Sequence, residues 1–90
     1  MFLIKVLNYD DLRLKFGGVA GGSTMQTPYD LAYNYFGSLG HTGTLTDMEY
    51  QFLSAAGFPV GTLADRWAAY MISLGYTSRL SDNLRSWARA

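Results

Sequence analysis

Four aspartates, Asp30, Asp47, Asp65 and Asp82, recur every 17 or 18 residues, each within nearly the same phrase. The phrases are Thr-Pro-Tyr-Asp (27–30), Thr-Leu-Thr-Asp (44–47), Thr-Leu-Ala-Asp (62–65) and Arg-Leu-Ser-Asp (79–82). Five residues after each Asp stands an aromatic: Tyr35, Phe52, Tyr70 and Trp87. Ten residues after the first three stands a glycine: Gly40, Gly57 and Gly75. Self-similarity at a fixed short period states how a chain is built before it states any chemistry. Here it points to one small helical unit written about four times.

The unit carries the start and stop chemistry of a helix. Thr is a good N-cap, and Pro at the first helical position loses only an N–H that was unpaired anyway, so Thr27-Pro28 marks a start. Asp30 then falls at the third helical position, where its carboxylate reaches back to the N-cap N–H and faces the positive end of the helix dipole. Thr44/Asp47 and Thr62/Asp65 repeat the arrangement. The fourth unit has Arg79 at the cap, which leaves Ser78 or Ser81, with Asp82, as capping candidates. Gly40, Gly57 and Gly75 suit a left-handed residue just past a helix end, each followed by a large side chain: His41, Phe58 and Tyr76. Helices are expected near 28–39, 45–56, 63–74 and 80–89. Apolar positions at plus one, two, five, six and nine from the Asp give each a broad apolar face, as with Met48, Phe52, Leu53 and Ala56. Short connections favour sequential neighbours in space.

The first 26 residues follow other rules. Phe2, Leu3, Ile4, Val6 and Leu7 form a run rich in β-formers, expected as a strand or extended arm. A lone strand leaves its backbone unpaired, so this arm is expected to bind a partner, by sheet-edge pairing or in a groove. Asp10–Phe16 reads as a short helical turn or a degenerate unit, since Asp11 lies 19 residues before Asp30 and Phe16 takes the plus-five place. Gly17–Ser23 is a linker by composition. The expected organisation is an arm (1–16), a Gly-rich linker (17–26) and a helical repeat domain (27–90). The fold class is mainly α: an array of about four short capped helices with an N-terminal extended or β arm.

Composition narrows function. Charged residues are 16% of the 90 and aromatics another 16%, and there is no cysteine. Neither a thiolate metal site nor a disulfide scaffold is available. No Lys or Arg stands between Phe16 and Asp65, whereas four Arg and one acid lie from Arg66 onward. That asymmetry suits self-association or a charged partner surface. No basic stripe marks a nucleic-acid footprint, and no apolar run reaches the roughly 20 residues of a membrane span. His41 is the only histidine. It sits after a C-cap glycine, a packing position. Gly37-Ser38-Leu39-Gly40 lacks nucleophile-elbow spacing, and the Gly17–Gly22 stretch lacks the Lys-Ser/Thr of a P-loop. The expectation is a non-enzyme with no catalytic residue, metal, cofactor or small-molecule substrate. Tyr33, Tyr35, Tyr50, Trp67, Tyr70 and Trp87 are candidate interface aromatics, a role they share with core packing.

The phrases at 44–58 and 62–76, with a Thr-Leu-x-Asp start, an aromatic and a Gly-aromatic ending, resemble short helical repeats in virion proteins of tailed bacteriophages, notably those of actinobacteria. The resemblance covers Thr27 to the end. Pro28, Arg79 and the missing glycine of the last unit depart from it. It implies a virion structural protein, made in the host cytoplasm and placed on the capsid surface as a decoration or minor capsid protein. Its partner would be the major capsid protein or another virion protein. A tail-associated or head–tail junction protein, or a non-virion adaptor, are the alternatives.

Overall fold

A computed structural model describes residues 2–16 and 27–90. It is mainly α: α1 (Leu3–Val6), α2 (Tyr9–Phe16), α3 (Pro28–Ser38), α4 (Leu45–Ala55), α5 (Leu63–Ser73) and α6 (Leu80–Arg89), with no strand among the described residues. The expected Gly-rich linker, 17–26, lies outside the described residues.

Three of the four phrases open helices as their chemistry requires. Thr27, Thr44 and Thr62 are N-caps in extended backbone, and each shares a reciprocal capping box with Asp30, Asp47 or Asp65. The Thr44 hydroxyl accepts from the Asp47 N–H at 3.2 Å, while the Asp47 carboxylate accepts from the Thr44 N–H at 3.2 Å. A fourth box stands at Asn8, whose side-chain oxygen accepts from the Asp11 N–H at 2.9 Å while Asp11 accepts from the Asn8 N–H at 3.1 Å. Residues 8–16 therefore use the same start, with Asn in place of Thr.

The stops are equally regular. Gly40, Gly57 and Gly75 have φ of +90°, +102° and +94°. The N–H groups of His41, Phe58 and Tyr76 return to the carbonyls of Phe36, Leu53 and Met71 at 3.2, 2.9 and 3.0 Å. That is the six-to-one bond of a Schellman ending, and it satisfies carbonyls the helix leaves open.

Two expectations are corrected. Asp82 does not cap α6: Arg79 is the N-cap with no side-chain cap bond, and Asp82 instead meets Arg85 at 3.3 Å. Asn83 supplies the local order, accepting from the Ser78 N–H at 2.9 Å and donating to the carbonyls of Ser78 and Tyr76. The arm is not a strand either. Leu3–Val6 forms a helical turn, Leu3 and Leu7 are buried, and Phe2, Ile4 and Val6 pack against the same core. The turn closes part of its own backbone, with the Leu7 N–H on the Leu3 carbonyl at 2.8 Å, and a side chain of α4 takes its first N–H groups, whereas a strand here would find no edge to pair with among the described residues.

None of these helices is long enough to persist alone in water. Each of α2 to α5 packs on the helix that follows it, and α6 returns to α2, so five helices close into a ring; α1 lies against α3. The plus-five aromatics meet inside. Phe16 stacks on Tyr35 with ring centroids 4.4 Å apart and meets Trp87 at 5.8 Å. Trp87 meets Tyr70 at 6.0 Å, and Tyr70 meets Phe52 at 5.7 Å. Phe36 bridges Phe52 and Tyr35 at 5.2 and 5.5 Å.

Two outcomes test this packing. A chain lacking residues 2–16 loses Leu3, Leu7, Leu12 and Phe16 from the core. Deletions of this kind cost about 2–5 kcal/mol per large side chain, so four together exceed the stability of a small domain. Its circular-dichroism melt is expected to lose cooperativity, and an unchanged midpoint would show that 2–16 is dispensable. Separately, Thr44→Ala and Thr62→Ala are each expected to cost about 1 kcal/mol in urea melts. Asp82→Ala should stay within about 0.5 kcal/mol.

Candidate functional site

The residues singled out as interface aromatics divide when placed in the fold. Trp67 and Trp87 are core residues, 0% and 5% exposed, and are corrected as surface candidates. Tyr35 and Tyr70 are half-buried in the same aromatic cluster. Tyr50 is half-buried under the Arg66 guanidinium, 4.7 Å from its ring centroid. Tyr33 alone of the six is exposed, with its ring stacked on that of Tyr29 at 5.9 Å. The arm residues expected to bind a partner are spent on the protein's own core.

Besides Asn83, the described structure buries two charged side chains, both carboxylates. The first is Glu49 on α4, 0% exposed. Its Oε2 accepts from the Phe2 N–H at 3.1 Å and its Oε1 from the Leu3 N–H at 3.2 Å. The Trp67 indole N–H donates to Oε1 at 3.1 Å. One carboxylate thus joins the start of α1 to α4 and α5. Burial pushes the Glu49 carboxyl above the ordinary glutamate value, held back in part by the Trp67, Leu3 and Phe2 N–H groups. Three neutral donors stabilise the anion less than the lost water did.

The second is Asp11 on α2, 1% exposed. Its Oδ2 serves the capping box with Asn8. Its Oδ1 accepts from Arg89 Nε at 3.0 Å and Nη2 at 2.6 Å, and Arg85 Nε lies 3.6 Å away. Burial raises this carboxyl, but the Asn8 N–H, Arg89 and Arg85 together outweigh it and leave the group below the ordinary aspartate value. The pair spans the first and last helices of the ring, at the junction of α2 with α6.

Both sites carried a signal in the sequence. Glu49 stands at plus two from Asp47, a position that is apolar in the other units from Thr27 onward: Ala32, Trp67 and Leu84. A charge on an apolar stripe is either an error of register or a buried, paired group. Asn8 and Asp11 repeat the spacing of the capping pairs. Gly43 and Gly61, one residue before the capping threonines, are a further element of the phrase. Their φ values are +101° and +104°, and a Cβ on Gly43 would lie 2.9 Å from the Asp47 carboxylate.

No group of three or more His, Cys, Asp or Glu able to hold a metal ion occurs among the described residues. No helix among them is long and apolar enough to cross a membrane. No protein-family model, no curated protein and no solved structure matches this chain.

Glu49 generates a pH signature. A folded pKa raised above the unfolded value means that the folded state holds the proton longer, so stability falls as pH rises through the folded pKa. Asp11 has the opposite sign in a lower window: its contribution is present above the ordinary aspartate value and is lost as pH falls through its depressed folded pKa. Urea melts are expected to show the wild type gaining stability relative to Glu49→Gln as pH drops toward the ordinary glutamate value. A difference independent of pH would refute this environment. Glu49→Ala leaves three buried N–H donors unpaired and is expected to cost about 3 kcal/mol or more at neutral pH.

Proposed function

We propose that this protein is a non-enzymatic bacteriophage virion component, a capsid decoration or minor capsid protein that stabilises the shell by binding it. The carrying observation is where the repeated phrase spends its chemistry. Asp30, Asp47 and Asp65 each accept from the backbone N–H of their own N-cap threonine. The plus-five rings are joined in one cluster in the ring's interior. The two buried carboxylates hold helices together. A residue already bound to its own fold has little left to offer a substrate, whereas a rigid body of this kind can present a surface.

The sequence resemblance to phage virion repeats supplies the setting, and the fold supports its general sense. Large apolar side chains remain outside: Val60 is 81% exposed, Ile72 63% and Leu14 58%. Exposed apolar area of this sort favours a protein partner, here the major capsid protein or another virion protein. The outer faces of the helices, rather than a free N-terminal arm, would make the attachment, because residues 2–16 belong to the core.

Quantitative mass spectrometry of purified phage particles tests the reading. The expected result is this chain at a copy number comparable to that of the major capsid protein. A handful of copies per particle would move the protein to the tail or the head–tail junction. Its absence from particles, with recovery as a free cellular protein, would replace the virion reading with a soluble adaptor.

A further inference from the structure

Residues 2–16 form a separate piece of the ring. α3, α4, α5 and α6 follow one another through connections of six or seven residues, whereas eleven separate Phe16 from Pro28. Its longer helix starts without a neighbour, since α2 opens with its own Asn8/Asp11 capping box. Its attachment is made by side chains and helix-start N–H groups. Asp11 grips Arg89 on α6 at 2.6 Å. Phe16 sits between Tyr35 of α3 and Trp87 of α6. Lys15 Nζ stands 5.1 Å from the Trp87 ring centroid. Phe2 and Leu3 donate to Glu49.

None of these interactions depends on which chain supplies residues 2–16. The place between α3 and α6 is selective for this segment, with an acid matched to two arginines and an aromatic matched to two rings. We propose that it also accepts residues 2–16 of a second copy, giving a reciprocal two-chain form in which each copy completes the other's ring. The same bonds and ring packing that close one chain on itself would then form between chains, so concentration and the geometry of the connection decide the balance. The inference does not rest on the virion reading and would stand if that reading failed.

Charge exchange tests it. In Asp11→Arg, the new cation faces Arg85 and Arg89. In the double variant Arg85→Asp/Arg89→Asp, two new acids face Asp11. Each chain alone therefore meets like charges at its own closure. In a reciprocal pair of one with the other, both closures are complementary. Refolding the two variants together is expected to give a species of two-chain mass containing one of each, seen by native mass spectrometry, with a thermal midpoint above that of either variant alone. A mixture that melts as the average of its parts, with no mixed species, overturns the proposal. Unlabelled and nitrogen-15-labelled wild-type chains incubated together at high concentration are expected to form mixed pairs, and their absence also overturns it. Wild-type pairing without rescue in the charge-exchanged mixture would place the pairing on another surface and likewise sink the proposal.

Discussion

The whole structure depends on five aromatic rings meeting inside a closed circuit of short helices. Helices of 8–11 residues lack the length to hold together through backbone bonding alone. Their stability has to come from burial. An aromatic at the same distance beyond each helix start points the same way in each unit, so a circuit of such helices brings the aromatics to one place. Ring contacts at 4.4–6.2 Å between Phe16, Tyr35, Phe52, Tyr70 and Trp87 follow from that geometry. Each aromatic buries a large apolar area, and its preferred packing adds a further directional term. Trp67 thickens the cluster from α5, at 5.3 Å from Trp87 and 5.7 Å from Phe52.

The two buried carboxylates answer a different need. A circuit of similar units has several ways to close, and apolar contacts discriminate poorly among them. Asp11 discriminates because only α6 brings Arg85 and Arg89, and a buried acid without them is heavily penalised. Glu49 discriminates because it needs three donors at once: the Phe2 and Leu3 N–H groups and one indole. Its raised pKa means that the ionised form is held there less readily than the protonated one. What the arrangement gives is a fixed seat for α1. The closed ring is thus held by unspecific burial and oriented by two specific polar contacts.

Much of this was legible from local chemistry. Thr-x-x-Asp starts and glycine stops placed α3, α4 and α5 to within one residue at each end, because capping is decided by neighbours three to six positions apart. The fourth start misled because Arg79 and Asp82 keep the look of the phrase while Asn83 does the local bonding. The arm misled for a related reason. A run such as Phe-Leu-Ile-Lys-Val-Leu fits strand or helix equally by periodicity, and the arbiter, a carboxylate 46 residues away, is invisible to local pattern. Closure of the array was likewise hidden, since Asp11 and Arg89 are 78 residues apart. The spacing of Asp11 and Phe16 pointed to a helical turn or a further unit at 10–16, whereas Glu49, a charge at an otherwise apolar position of the phrase, passed unread.

Function is the least legible level because the repeat is fully consumed by architecture. A chain that uses three of its four recurring acids as caps and its recurring aromatics as core leaves the outer faces of the helices as the variable part. On those faces the residues differ from unit to unit: Tyr29 and Tyr33 on α3, Arg66 over Tyr50 between α4 and α5, Ile72 on α5 and Leu14 on α2. Repetition inside with variation outside is how a small scaffold acquires a binding surface without changing its fold. A partner of the kind proposed would therefore read residues that break the repeat rather than those that define it.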